Sequence, residues 1–228
     1  MPLDGYIIHD PVSDERERLA HVLWVAGAPN AGKTTLTRLL AGKYDLKIYN
    51  ADWHHVREHR GRPGGVVKGW DELTMDERWI RPSPRELYER ESANWTASFP
   101  LVVEDLLALP DDRTIVAEGP ALFPWCIAPL LLSATQAIFL LPTAEVRERV
   151  LARRNRDGPA SSDRFTTDPE RARRNIAARD ALLRERIASS CDELGLRWVR
   201  IDGSLDLDDS IALLEQHFRP HLPAQPNV

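Results

Sequence analysis

The run Gly27-Ala28-Pro29-Asn30-Ala31-Gly32-Lys33-Thr34-Thr35 follows directly on the apolar stretch Val22-Leu23-Trp24-Val25-Ala26. It meets every fixed position of the phosphate-binding loop, the P-loop or Walker A motif. Glycines let backbone N–H groups close around phosphate oxygens, a lysine reaches the outer phosphates, and a hydroxyl holds Mg²⁺. Gly27, Gly32, Lys33 and Thr34 supply those parts, and the intervening Ala28, Pro29, Asn30 and Ala31, with Thr35, complete the nucleotide cradle. The motif needs a strand before it and a helix after it. The apolar spacing of Thr35-Leu36-Thr37-Arg38-Leu39-Leu40-Ala41 predicts that helix, with a stop at Gly42. The competing reading is a glycine-containing turn without a ligand.

The rest of the chain fits one α/β layer structure. Apolar runs at Val22–Ala26, Leu46–Tyr49, Thr114–Ala117, Ala137–Leu141 and Leu196–Ile201 alternate with helical segments. Such alternation predicts a five-stranded parallel sheet covered on both faces, a three-layer α/β/α domain. Ser83-Pro84-Arg85-Glu86 is a capping box with proline at the first helical position, and Thr167-Asp168-Pro169-Glu170 repeats the device. The face Leu182, Leu183, Ile187, Cys191 and Leu194 ends at Gly195, and Asp206 caps a terminal helix. The 228 residues are expected to form a single domain, with a helical acceptor-binding insertion at about 53–110 and a lid at about 153–168. How residues 1–19 pack is left open.

A formal charge of −5 argues against a general nucleic-acid binder, which would need basic residues to neutralise phosphates. Cys126 and Cys191 lack CxxC spacing and suit a reducing compartment; no long apolar run or leader pattern is seen, so a soluble cytoplasmic protein is expected. A homodimer is left open.

Candidate chemistry gathers at the ends of the strands. Asp52, after Ile48-Tyr49-Asn50-Ala51, stands where a hydroxyl acceptor would need a base, although aspartate also caps helices at such positions. Glu118 ends the third strand, where it would hold Mg²⁺ together with Thr34 or contact an acceptor; a solvated turn is the alternative. Arg153 and Arg156, and with less weight Arg154, end the helix after the fourth strand, within reach of a γ-phosphate, or else they pair with helix glutamates. Between Trp53 and Trp95 lie four tryptophans that would wall an acceptor pocket or fill a core, and Arg57, Arg60, Arg62, Arg81 and Arg85 would hold an anionic acceptor. His54, His55 and His59 match no zinc spacing and are read as surface or acceptor-contact residues.

In this order, the P-loop, Asn50-Ala51-Asp52-Trp53, Glu118-Gly119 and the arginine-bearing lid resemble the P-loop small-molecule kinases of the nucleoside and nucleotide kinase-like group. Uridine kinase, nicotinamide riboside kinase and chloramphenicol phosphotransferase are the nearest analogues. The resemblance spans about Val22 to Phe218 and implies sheet order 2-3-1-4-5, MgATP as donor, Asp52 as base, and an adenine pocket partly built by Asp202-Gly203-Ser204. It would place Trp53, Arg57 and Glu118 beside the small-molecule acceptor. The acceptor region itself matches no substrate signature. No lysine follows Lys68 to build a guanine motif, which argues against a GTPase, and no LSGGQ-type signature marks a transporter ATPase. A nucleoside monophosphate kinase and a regulatory ATPase stay open, and so does the identity of the acceptor.

Overall fold

The structure, a computed structural model, describes residues 11–65, 70–157 and 162–226. Met1–Asp10, Lys68 and its neighbours Val66, Val67 and Gly69, and the Gly158–Ser161 part of the lid loop lie outside the described residues. In chain order the elements are α1 (Pro11–Arg18), β1 (Val22–Gly27), α2 (Lys33–Tyr44), β2 (Lys47–Asn50), α3 (Ala51–Arg57), α4 (Met75–Trp79), α5 (Pro84–Ala108), β3 (Ile115–Glu118), α6 (Pro124–Ile127), β4 (Ala137–Pro142), α7 (Ala144–Asp157), α8 (Pro169–Leu194), β5 (Arg197–Ile201) and α9 (Leu207–Phe218), with short 3₁₀ turns between them. All strand pairs are parallel, in the order β2-β3-β1-β4-β5. This is the P-loop NTPase fold with the sheet order that the resemblance implies.

Each run chosen for continuous apolarity is a strand. The central strands β1, β3 and β4 are buried on both faces, so no position can be polar without a partner, whereas the edge strands β2 and β5 keep exposed and charged positions. Alternation still divides the core. Val22, Trp24 and Ala26 pack with Phe99, Leu106, Phe123 and Ile187 beneath α5, α6 and α8, whereas Leu23 and Val25 pack with Leu36, Leu40, Leu214 and Phe218 beneath α2 and α9. Helix α1 is tied to this body by Arg16, whose Nε and Nη2 donate to the Leu131 carbonyl at 3.0 and 2.6 Å.

Helix boundaries follow local chemistry, with two corrections. The capping box at Ser83 forms as expected, with Pro84 at the first position, and Gly195 ends α8 in the left-handed region. Helix α2, however, runs through Gly42 and stops at Asp45, which takes the left-handed conformation at φ 52°. Glycine costs a helix about 1 kcal/mol, less than the packing of Leu40, Ala41 and Tyr44 against the sheet contributes. The start of α8 is the second correction. Its cap is Asp168, accepting from Arg171 N at 3.0 Å, and Thr167 instead donates through N and Oγ1 to Asp76 of α4 at 2.8 and 2.5 Å. Asp168→Ala is therefore expected to lower stability by about 1 kcal/mol in urea unfolding; an unchanged midpoint would show that the cap contributes nothing.

Candidate active site

The P-loop lies between β1 and α2. At its base Gly27 has φ 114°, and a Cβ there would stand 2.2 Å from the Leu140 carbonyl oxygen, so only glycine lets the loop leave the sheet beside β4. Asn30 and Gly32 adopt the left-handed conformation at φ 64° and 81°, which turns successive N–H groups toward one concavity. Gly32 begins α2 without a side-chain cap, leaving the first N–H groups of that 12-residue helix free for an anion.

Lys33 is almost wholly buried in this loop. Its Nζ donates to the Ala28 and Gly27 carbonyls at 2.7 and 3.1 Å. Burial lowers its pKa to about 8, against the opposing pull of Glu118 and Asp52. Opposite it, the register of the sheet sets Glu118 beside both Val25 and Asn50. Thr34 Oγ1 donates to Glu118 Oε1 at 2.9 Å, and Asn50 Nδ2 donates to the same oxygen. Burial pushes the Glu118 carboxyl above its ordinary value, partly countered by the Thr34 hydrogen bond. A hydroxyl and a carboxylate meeting at the loop's helix, next to a buried lysine, form a donor set of hard oxygens. It suits Mg²⁺, so Thr34 and Glu118 are the residues that would hold it.

Asp52 enters the same cavity, whose volume is about 310 Å³, together with Asn50, Glu118, Pro120 and Arg154. It is exposed and occupies the first turn of α3, whose cap is Asn50: Asn50 Oδ1 accepts from Trp53 N at 2.7 Å. The helix thus has its cap without Asp52, and the aspartate is left facing the P-loop. Asn50 was not marked as a site residue by the sequence. Its only signal is its place directly before the alanine and aspartate.

Several candidates stand elsewhere. Of the three lid arginines, Arg154 reaches the P-loop and donates to Asn30 Oδ1 at 3.1 Å, while Arg153 and Arg156 are exposed and line neither the P-loop cavity nor the one beside it. Trp53 is 50% exposed, and neither it nor exposed Arg57 lines the P-loop cavity. Asp202, Gly203 and Ser204 follow β5 as an exposed turn in which Asp202 Oδ1 accepts from Ser204 N at 2.9 Å. The turn adjoins Arg149 of α7, not the P-loop cavity. Arg62, Arg81 and Arg85 pair with Asp105 and Glu104, with Glu77, and with Glu89, and are not grouped to grip an anion.

The tryptophans stand in different surroundings. Trp95 packs on Phe123 as core, Trp70 has the Arg78 and Arg90 guanidiniums 5.1 and 4.8 Å from its ring centroid, and Trp79 lines a cavity beside the P-loop. His59, expected at the surface or on an acceptor, is wholly buried. Its Nε2 lies 2.6 Å from Asp105 Oδ2, and Tyr49 and Arg62 donate to the same carboxylate at 2.8 and 2.9 Å. This clasp ties the segment after α3 to α5. His54, Glu58 and Asp105 bring ligating atoms within 4.8 Å of one another at its edge.

No family model matches the chain, and no curated protein matches it. Among solved structures it is similar to shikimate kinase from Acinetobacter baumannii in complex with shikimate, at 15% identity over 93% of this chain and 100% of that one, TM-score 0.47. It is similar to TT1252 from Thermus thermophilus, at 20% identity over 86% and 96%, TM-score 0.48. A sugar kinase from Janibacter sp. HTCC2649 gives 16% identity over 88% and 93%, TM-score 0.38. No described helix is long and apolar enough to cross a membrane.

Proposed function

We propose that the chain is an ATP-dependent phosphotransferase that moves the γ-phosphoryl group to a hydroxyl of a small molecule, in the manner of the nucleoside and nucleotide kinase-like group. The observation that carries this reading is the meeting of Lys33, Thr34, Glu118, Asp52 and Arg154 around one cavity at the P-loop. In the transfer, the acceptor oxygen forms a bond to the γ-phosphorus and the bridging bond breaks, its electron pair leaving with ADP. The hydroxyl proton passes to Asp52. Lys33, the α2 N-terminus and Arg154 meet the charge on the transferring group, and their fixed positions spare reorganisation during reaction. Bound Mg²⁺ would neutralise charge on the β- and γ-phosphates. Asp202-Gly203-Ser204 at the end of β5 are assigned to the adenine side. The free thiols Cys126 and Cys191 fit action in a reducing cytoplasm.

Incubation with ATP and Mg²⁺ in the presence of nucleosides, sugars and antibiotics, followed by mass spectrometry, tests the reading. A phosphorylated acceptor supports it, and hydrolysis to ADP and phosphate without one favours a regulatory ATPase. With an acceptor in hand, Arg154→Ala is expected to lower kcat by about 10²-fold or more, because a guanidinium over the phosphoryl group acts in the transition state. Arg153→Ala and Arg156→Ala are expected to stay within about twofold, since they present solvated charges. Equal losses in all three would place the lid differently.

A further inference from the structure

Next to the P-loop cavity lies a second one of about 380 Å³, between α7 and α8, closed on one side by Trp79. Pro29, Asn30 and Leu151 line both, so the two share a wall made by the apex of the P-loop and the lid helix. The field of Asp180, on the second cavity, reaches Lys33 in the first. Asp52 and the phosphate-binding residues belong to the first cavity, so a molecule seated here would react by extending one hydroxyl past the shared wall toward Asp52.

The polar lining is unusual in being both buried and charge-balanced. Arg147, Arg179 and Asp180 are each less than a tenth exposed. Arg147 Nε donates to Asp180 Oδ2 at 2.6 Å and its Nη1 to Glu148 at 2.6 Å. Arg179 donates through Nη1 to Glu91, a buried residue behind the cavity, and its Nη2 lies 2.8 Å from Asp180 Oδ1. Arg173, nearer the rim, donates to Asp163 Oδ2 at 2.8 Å. The three lining arginines thus face three lining carboxylates, and each guanidinium is already held by at least one of them or by Glu91. A phosphate or carboxylate on a ligand would have to break one of these pairs and strand a buried charge.

Arg179 Nε and Trp79 Nε1 donate to nothing but are closed off from solvent, and Asp180 Oδ1 is held in its ion pair with Arg179. The lining thus presents paired guanidinium donors and carboxylate acceptors beside the apolar surfaces of Leu151, Ile176 and Trp79. A hydroxyl donates and accepts at once, so it can serve either kind of site without adding charge. Resting on the phosphotransfer reading above, we infer that this cavity is the acceptor pocket and that the acceptor is an uncharged polyhydroxy compound, sugar- or polyol-like, with an apolar face toward Trp79. Every arginine of the pocket being paired also turns the choice away from a nucleoside monophosphate acceptor.

The test is equilibrium binding to the intact protein without nucleotide, by ligand-observed NMR and calorimetry. The probes are D-glucose, D-ribose, myo-inositol and adenosine, against glucose 6-phosphate, gluconate and AMP. At least one neutral probe is expected to bind with Kd below about 10 mM, and more tightly than its anionic counterpart. Trp79→Ala, which removes the apolar wall, is expected to weaken that probe about tenfold. Asp163→Asn, which releases Arg173, is expected to tighten glucose 6-phosphate about tenfold, a gain that damage to the fold cannot produce. Anionic probes that bind better than neutral ones, or no neutral probe binding at all, overturn the inference. Since no nucleotide is present, the two readings fail separately: neutral compounds that bind but are never phosphorylated defeat the transfer, and phosphorylated anionic acceptors defeat the pocket assignment alone.

Discussion

Lys33→Met is expected to abolish phosphoryl transfer, by at least about 10³-fold, and to remove a pH dependence from the stability of the free protein. The catalytic loss follows from deleting the buried P-loop cation that the proposed phosphotransfer sets against the outer phosphates. The stability effect follows from the same burial. Lys33 is pushed to about 8 in the fold against 10.5 for the ordinary side chain. A base whose pKa falls on folding is a cost while it is charged. Below pH 8 both states hold the proton and the full cost is present. Between about 8 and 10.5 the folded state releases a proton that the unfolded chain keeps, so stability rises with pH, and above 10.5 the cost is gone. The gap, 10.5 − 8 = 2.5 in pKa, corresponds to at most about 3 kcal/mol. Urea unfolding across this range should show wild type gaining on Lys33→Met as pH rises. Parallel curves would mean that the ammonium is not desolvated.

The second large effect is at Asp52. Asp52→Asn keeps the size of the side chain and removes its basicity, and kcat is expected to fall by about 10²–10⁴-fold with nucleotide affinity unchanged. Stability should change by no more than about 0.5 kcal/mol, because Asp52 is exposed and Asn50 already caps α3. These two readouts separate a base from a helix-end charge. Full turnover in the variant, or a loss of stability with activity kept, would give Asp52 a structural role only.

The parts of this molecule that were legible in its sequence are those governed by neighbours along the chain. Doubly buried strands must be apolar throughout, a P-loop needs its glycines at fixed spacing, and Ser83 and Gly195 end their helices through bonds spanning a few residues. What escaped depends on how distant elements dock. Arg153, Arg154 and Arg156 lie within four residues of one helix and, at about 100° per residue, point to different sides; only the seating of α7 on the P-loop selects Arg154. Asn50 gains meaning from a strand register that sets it beside Glu118, 68 residues later.

The buried ion pairs were the least legible. Arg147 and Asp180 look like ordinary solvated helix residues in a chain with 29% charged residues, and Glu91 and Arg179, 88 positions apart, give no sign that they meet. His59 belongs with them, since its imidazole is paired inside with Asp105 of a distant helix. Such groups are stable inside only when paired, and pairing over long separations leaves no local pattern.

Transfer to a hydroxyl and mere hydrolysis of ATP are separated by incubation with Mg²⁺ and ATP carrying ¹⁸O in the γ-phosphoryl group, in a small-molecule extract, with mass spectrometry of every product. Under the proposed phosphotransfer a metabolite gains a phosphoryl group bearing three labelled oxygens, and this product is absent with Lys33→Met. Label found solely in inorganic phosphate would contradict it.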